Sequence, residues 1–250
     1  MSGLTAFARF EVARLLGSWK FLAITVGFPV IFYMLFLRDE RAGRIVDGAV
    51  PWRVYLMVSM CSFGALVSSL NAGGSRLSTE RASGWARQLR VTPIPAWSYV
   101  ATKVAASMVV VLPVVVLVEL VGMAFGGVHL GLLSWFELTG LLWVTAVPFA
   151  ILGIFVGFMV TAETAYPVVT ALMFLLGYFG GLFNPVNHMP HALQTTARIL
   201  PSFHQTSIGL ALLDGRGFGI QDTLVLVAYA VVLGLAIVWK HRVEESRGLA

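Results

Sequence analysis

The sequence STERASGWARQLRVTPIPAWSYVATK, from Ser78 to Lys103, decides how this chain is organised. One apolar run, 54–75, precedes it and another, 104–125, follows it. Each run reaches the about 20 residues that a helix needs to cross a bilayer. The central segment between them carries charge along its length, at Glu80, Arg81, Arg87, Arg90 and Lys103. We therefore expect two membrane-spanning helices joined by a water-exposed segment at the membrane edge.

The composition assigns the whole chain to the same class. Of its 250 residues, 58% are hydrophobic and 12% are charged, whereas about 25% of the residues in soluble domains are charged. Such a chain cannot bury its apolar surface by folding on itself in water. In a bilayer, backbone polar groups must be satisfied within the chain, which favours helices. The sequence predicts an all-α membrane protein that forms a single transmembrane domain over residues 1–250.

Six apolar runs define the expected spans, at about 21–37, 54–75, 104–125, 138–162, 164–183 and 223–239. The first span is short and contains Pro29, which predicts a kink. Little but Glu163 separates the fourth span from the fifth, so we expect a tight turn there. The charged stretch from Arg38 to Arg53 predicts a solvated loop. Residues 4–19 have an apolar face at helical spacing, which indicates either an interfacial helix or a simple lead-in to the first span.

The basic residues indicate the orientation of the chain. With six spans and the amino terminus inside, eleven of the 17 Lys and Arg residues fall on the inner side and six on the outer side. This excess predicts that both termini are cytoplasmic. It also explains the formal net charge of +5 without nucleic acid, because inner basic residues meet anionic lipid. The amino-terminal stretch is charged and lacks a small-residue cleavage site, so we expect no cleavable signal peptide.

Local signals predict a short helix within the central segment. Ser78 or Thr79 can cap its start and Glu80 suits its first turn, while Pro93 and Pro95 end it. From the residues alone, two interpretations stay open. The segment is either a solvated loop that only sets the topology, or a helix that presents its charged side chains to a partner protein.

A second informative stretch joins the last two spans. It reads GGLFNPVNHMPHALQTTARILPSFH, from Gly180 to His204, and is too polar for a span and too apolar for an ordinary loop. Pro190 suits the first turn of a helix, and Pro201 predicts its end. We expect a short helix on or partly in the outer leaflet.

Glu119 is the one carboxylate well inside a long apolar run. Intramembrane carboxylates are candidates for function. Glu119 lies 16 residues after Lys103, about 24 Å along a helix, and therefore approaches the outer boundary. Both an interfacial or structurally paired carboxylate and a substrate contact or proton carrier fit this position.

Few residues indicate metal binding or catalysis. His188, His191 and His204 cluster near the outer face, but Pro190 separates the first two and no cysteine or carboxylate is close. We therefore expect polar loop residues there and no metal site. The sequence has no H-E-x-x-H or G-x-S-x-G motif, and it lacks the G-x-x-x-x-G-K-[ST] phosphate-binding loop. Close helix packing, with hinging as the alternative, is expected at several glycines: Gly64, Gly153, Gly157, Gly177, Gly180 and Gly181.

The motifs of both informative stretches resemble those of one family. The central segment carries Glu80-Arg81, Gly84, Leu89, Pro93 and Lys103. The outer stretch carries Gly181, Phe183, Pro185, Pro190, Leu200 and Pro201. In this order and in a six-span frame, the two patterns are similar to the cytoplasmic and outer loops of type-2 ATP-binding cassette (ABC) exporter permeases. The sequence departs from that family's pattern at Trp85, where threonine is usual.

The resemblance implies that the central segment is a coupling helix, seated in a groove of a separate ATP-binding subunit. Its contact residues would be Glu80, Arg81, Gly84, Trp85, Arg87, Gln88 and Leu89. ATP and Mg²⁺ would be bound by that subunit, and this chain would hold no cofactor and be no enzyme. Two ATP-binding subunits and a second permease copy, identical or related, would complete the assembly in the bacterial cytoplasmic membrane.

These expectations combine into a transport function. The chain would be the membrane-spanning subunit of an exporter for a hydrophobic or amphipathic cargo, such as a drug-like molecule or lipid. Its nearly charge-free spans could not replace the hydration of an ion. The path would run between the two copies, with Glu119, Phe155 and Phe174 as candidate path residues. The alternative is a membrane scaffold or sensor that binds a cytoplasmic partner and transports nothing.

Overall fold

The described part of the computed structural model is helical except for one small hairpin, and it comprises residues 17, 19–38, 45–47, 50–83, 96–217 and 219–246. The elements, in chain order, are α1 Trp19–Phe36, β1 Ile45–Asp47, β2 Val50–Pro51, α2 Trp52–Leu70, a π-helical turn Asn71–Ser75, α3 Arg76–Ala82, α4 Ala96–Gly126, α5 Leu132–Val144, α6 Val147–Met159, α7 Ala162–Phe179, a 3-10 turn Val186–His188, α8 His191–Ala197, α9 Pro201–Leu213 and α10 Ile220–Ser246. The interfacial helix predicted over residues 4–19 falls almost entirely outside the described ranges.

Five helices of the described chain are long and apolar enough to cross a membrane: Trp52–Ala82, Val100–Gly126, Leu132–Met159, Ala162–Phe179 and Ile220–Lys240. They coincide with the second to sixth predicted spans, which confirms a multi-pass, all-α protein. The tight turn is also confirmed, because α7 begins at Ala162, three residues after the end of α6 at Met159, and Glu163 lies in the first turn of α7. The first predicted span, 21–37, falls in α1, whose apolar part Thr25–Phe36 is shorter. The count of six spans therefore stays a prediction.

Helix α2 lies at the centre of the protein. Every residue in it except Arg53 and Val54 is buried, and it packs against α1, α4, α6 and α9. By contrast, α10 leaves large apolar side chains exposed, including Leu224, Val232 and Trp239. Apolar surface of this extent would favour aggregation in water, but it is the surface that a lipid-facing helix requires.

The fourth span contains a break. A turn at Thr145 and Ala146 separates α5 from α6. Thr145 Oγ1 donates to Leu141 O at 2.7 Å. Pro148 lies in the first turn of α6, where a backbone N–H would have no intrahelical partner, so proline is tolerated there. The span predicted over 138–162 coincides with Leu132–Met159, but apolar composition alone does not reveal the turn within it.

The segment from Arg38 to Arg53 is more than a solvated loop. Strands β1 and β2 pair in an antiparallel hairpin, with Asp47 opposite Val50. The hairpin contacts α2, and Val50 is 3% exposed. The loop prediction was incomplete, because strands this short leave too few residues for an alternating pattern to be seen.

Two helices, not one, lie between the last two spans. Helix α8 follows Pro190 as predicted, but Pro201 then begins the longer helix α9. Helix α9 packs against α2, α5 and α10 and buries polar residues such as Ser202 and Gln205. The prediction missed α9 because a proline that starts a second helix looks, in sequence, the same as one that ends the first.

Candidate functional site

The second span passes into the central segment as one helix. Helix α2 continues through the π-helical turn Asn71–Ser75 into α3, which ends at Ala82. Ser78 and Thr79 lie inside α3, and their hydroxyls donate to Ser75 O at 2.9 and 2.8 Å. The prediction that one of them caps a new helix was therefore wrong. Both side chains bond back to the preceding turn, an alternative that a helix interior also offers to Ser and Thr.

The π-helical turn lies where two helix backbones meet. A Cβ added at Gly153 would lie 2.5 Å from Ser69 O, one at Gly73 would lie 2.6 Å from Ile154 N, and one at Gly157 would lie 2.6 Å from Gly73 O. Only glycine fits without a backbone shift. Small residues allow this approach between membrane helices, which confirms the packing role predicted for Gly153 and Gly157.

Glu80 and Lys103 form a buried ion pair at the base of the central segment. Lys103 Nζ donates to Glu80 Oε2 at 2.6 Å, and the two side chains are 6% and 5% exposed. The pair joins α3 to α4 across a sequence separation of 23 residues. Breaking a buried ion pair of this kind is costly, because the remaining charge loses a close partner in a place that water does not reach. The pair thus joins the two ends of the central segment, on α3 and α4, at one place.

Arg81 reaches from α3 to the end of α6. Its Nη1 donates to Phe158 O at 2.7 Å and to Gly157 O at 3.1 Å. Its guanidinium carbon lies 5.2 Å from the centre of the Phe158 ring, which adds a cation–π attraction. The last carbonyls of a helix have no intrahelical partners and carry partial negative charge, so a guanidinium stabilises them.

The structure places the predicted ATPase-contact residues in two groups. Glu80 and Arg81 contact their own chain, and Glu80 is 4% exposed. The others lie outside the described residues: Gly84, Trp85, Arg87, Gln88 and Leu89. A contact with an ATP-binding subunit stays a prediction for both groups.

Glu119 is buried in α4 and is 5% exposed. Thr139 Oγ1 on α5 lies 2.5 Å from Glu119 Oε2 and 2.9 Å from Trp135 O. In the part of the chain that the structure describes, Glu119 Oε1 has no hydrogen-bond partner. Glu119 thus links α4 to α5, the arrangement expected of a structurally paired carboxylate.

The three candidate path residues lie in separate surroundings. Phe155 packs, half-buried, on a small cluster that includes Leu77 and Ile237, away from the Glu119–Thr139 contact. Phe174 is 39% exposed and lines an open groove of about 660 Å³ between α1 and the end of α7. The lining is aromatic, with Phe32, Phe36, Phe174, Tyr178, Phe179 and Phe183. We call this the aromatic groove; its chemistry suits an apolar molecule or an apolar helix.

His204 fastens α9 to its neighbours. Its Nδ1 lies 2.6 Å from Asp222 Oδ1 on α10, and its Nε2 lies 2.8 Å from Arg198 O. Ser207 donates to the other Asp222 oxygen at 3.2 Å. Both ring nitrogens of His204 are therefore engaged, and neither is directed at Ser202, which donates to Leu176 O at 2.7 Å.

The remaining outer histidines, His188 and His191, are exposed. Among the described residues, no three His, Cys, Asp or Glu side chains are grouped so that they could hold a metal ion. The three histidines thus differ in role by position: one is a buried structural residue and two lie at the surface.

Sequence reasoning missed Asp222 and the internal role of Arg81. The available signal for Asp222 was its place in the first turn of α10, where the helix dipole favours a carboxylate. Arg81 offered no comparable signal. Its partners are backbone carbonyls 76 and 77 residues away, and no local pattern indicates a contact of that kind.

Comparison with known proteins agrees with this architecture. Residues 39–239 match the family described as ABC-2 family transporter protein, a range that runs from before β1 into α10. The chain is also similar to the "Putative transport permease YvfS" of Bacillus subtilis (strain 168), with 29% identity over 242 residues, 94% of this chain and 96% of that protein. The family match spans far more than half of the chain and includes both informative stretches. The chain therefore belongs to the ABC-2 family of membrane transporter permeases, as the motifs of those stretches predicted.

Proposed function

We propose that this chain is the membrane-spanning subunit of an ATP-driven exporter and that ATP is hydrolysed on a separate subunit. Membership in the ABC-2 family supports the transport role and implies association with an ATP-binding cassette subunit. The sequence has no G-x-x-x-x-G-K-[ST] loop to bind the phosphates itself. ATP and Mg²⁺ therefore act through the partner, and this chain supplies the path.

One observation carries the coupling part of the proposal: the two ends of the central segment meet. The Glu80–Lys103 pair closes the segment at its base with a contact of 2.6 Å. The residues between them include the 84–89 motif that resembles a coupling helix. A segment whose two ends are held together in this way can transfer a partner's movement to α3 and α4.

The proposed assembly contains two permease copies and two ATP-binding subunits. In each permease α1 completes six spans, so both termini lie in the cytoplasm. The excess of inner basic residues, eleven against six, supports this orientation. The membrane would be the bacterial cytoplasmic membrane.

The cargo that we propose is hydrophobic or amphipathic. The aromatic groove supports this chemistry, because six aromatic side chains line it and Phe174 is among them. The path would run along this groove between two copies of the chain. Glu119 is enclosed by neighbouring helices, so it would meet the cargo only after those helices move, whereas Phe155 is half-buried.

Co-purification with the cognate ATP-binding subunit tests this function. We expect the natural chain to retain that subunit and to stimulate its ATP hydrolysis in lipid vesicles. Gly84→Arg should abolish both, because it places a long charged side chain at a position where the family motif has glycine. Thr79→Ala is the matched control, since Thr79 is exposed and its hydroxyl donates to Ser75 O in the preceding turn of the same continuous helix.

Failure of the natural chain to retain any ATP-binding subunit would contradict the exporter function. Retention by the Gly84→Arg variant with normal stimulation would contradict the assignment of residues 84–89 as the contact. In the first case the scaffold alternative would gain weight, because it needs a cytoplasmic partner but no ATPase.

A further inference from the structure

We propose that Arg81, supported by the Glu80–Lys103 pair, is a positioning residue that transmits movement of the central segment to α6. The basal clamp is defined as Glu80, Arg81, Lys103 and the carbonyls of Gly157 and Phe158. This inference rests on the proposed function, but it gives Glu80 and Arg81 a role inside the permease. They hold helices together behind the ATPase contact and do not form that contact.

The first argument is the chemistry of the Arg81 contact. Helix α6 ends at Met159, so the carbonyls of Gly157 and Phe158 are among its last four and lack i+4 partners. Arg81 satisfies both carbonyls from one nitrogen, at 3.1 and 2.7 Å. An arginine stays charged at any physiological pH, and charge-assisted bonds of this kind are stronger than neutral ones. The end of α6 is thus fastened to α3.

The second argument is that α3 cannot slide against α6. The π-helical turn that precedes α3 touches α6 through backbone atoms. An added Cβ at Gly157 would lie 2.6 Å from Gly73 O and 2.9 Å from Leu77 Cβ. Leu77 itself is 1% exposed. Because close-packed backbone contacts leave no free space, a displacement of α3 must displace α6 as well.

The third argument is the position of the break in the fourth span. Helix α6 is held by Arg81 at one end and begins at the turn of Thr145 and Ala146 at the other. Turns between helices absorb the changes of backbone angle that accompany a rigid-body movement. Helix α6 also packs along α10. Because α6 is fixed to α3 at one end and preceded by a turn at the other, it can rotate as a rigid body when α3 moves.

The ion pair completes the clamp from the other side. Lys103 lies near the start of α4, and its contact with Glu80 holds α4 to the same short helix that carries Arg81. Three helices, α3, α4 and α6, therefore meet at adjacent residues of one turn. A displacement of the central segment would therefore displace all three helices together.

Arg81→Gln tests the clamp in the complete transporter. The substitution removes the charge and the reach of the guanidinium but leaves the amino-acid sequence of residues 84–89 unaltered. We expect the ATP-binding subunit to be retained, while stimulated ATP hydrolysis falls roughly tenfold, as the loss of a charge-assisted contact implies. Arg81→Lys keeps the charge. Its stimulated ATP hydrolysis should lie between that of Arg81→Gln and that of the natural chain. Thr79→Ala, two residues earlier on the exposed side of α3, should behave as the natural chain does.

A charge swap separates an internal pair from an ATPase contact. Glu80→Lys and Lys103→Glu, made singly, each leave like charges together in a buried place, and we expect poor yields. The double variant restores one acid and one base at the same distance. It should recover both yield and stimulated hydrolysis. If Glu80 met the ATP-binding subunit directly, the swap would not restore stimulation.

Amide hydrogen exchange of the permease alone provides a readout that does not need the ATPase. We expect faster exchange at the end of α6 in Arg81→Gln than in the natural chain or in Thr79→Ala. Unchanged exchange there, or normal stimulation in the complex, would overturn the proposal, as would loss of subunit binding in a folded Arg81→Gln protein. Failure of the natural chain to bind an ATPase would instead refute the proposed function, and hydrogen exchange would still decide whether the clamp exists.

Discussion

Glycines set the closest approach between helices in this protein. Gly153 and Gly157 stand four residues apart in α6, the spacing that brings small residues onto one helix face. On the facing helix, Gly73 lies in the π-helical turn. Together they place the backbone of α6 against the backbone that leads to α3.

Replacement of Gly157 by alanine should destabilise the protein. Its Cβ would lie 2.6 Å from the backbone oxygen of Gly73, and overpacking of this kind costs about 1–3 kcal/mol. Gly140→Ala is the matched control, because nothing lies within 4 Å of a Cβ at that helical position. We expect a lower unfolding temperature for Gly157→Ala and an unchanged or higher one for Gly140→Ala. Equal unfolding temperatures in detergent would contradict this packing account.

Some residue roles could be predicted from sequence and others could not. The charges of Glu80 and Lys103 mark the edge of the membrane, because charged groups are expelled from apolar surroundings. Their pairing depends on which helices are neighbours, which composition does not reveal. The backbone contacts of Arg81 are even harder to predict, because any exposed carbonyl can accept a hydrogen bond from a guanidinium.

At the scale of elements, helix α9 is held in place by contacts with its neighbouring helices. It is enclosed by α2, α5 and α10. Gln205 Nε2 donates to Leu142 O at 3.0 Å, and His204 lies 2.6 Å from Asp222. These polar contacts hold a polar helix inside an apolar protein, because each buried donor that is paired avoids a large desolvation cost.

Asp222→Asn should loosen α9 from α10. The substitution removes the carboxylate that contacts His204, whose side chain is 2% exposed, and the loss of a buried hydrogen bond to a charged group costs about 1–3 kcal/mol. Asp214→Asn is the control, because its partner Arg216 is 56% exposed and such pairs contribute about 0–1 kcal/mol. Thermal unfolding, with hydrogen exchange of α9, measures both. A larger loss of stability in Asp214→Asn than in Asp222→Asn would contradict this account.

Element type was easier to predict than element boundaries. A run of about 20 apolar residues leaves a helix as the only open structure that satisfies its backbone in lipid. The break at Thr145 and the extension of the second span to Ala82 depend on single side-chain bonds and helix contacts. The free energies of these bonds and contacts are small compared with the cost of burying unpaired backbone groups. Hydropathy therefore does not reveal them.

At the scale of the whole molecule, one buried helix organises a shell of helices that faces lipid. Helix α2 is enclosed on all sides and continues to Ala82, where Glu80 and Arg81 bind α4 and α6. The same continuous helix thus forms the core and carries the central segment. Movement of that segment would therefore act on the core of the protein and on its periphery together.

The central claim is that residues 84–89 meet an ATP-binding subunit, and site-specific crosslinking tests it most directly. A photoreactive amino acid would replace Trp85 in the assembled complex, with the same replacement at exposed Arg216, on the proposed outer side, as the control. We predict a crosslink to the ATP-binding subunit from position 85 that is absent at position 216. No crosslink from position 85 in a complex that retains the subunit, or equal crosslinks from both positions, would contradict the claim.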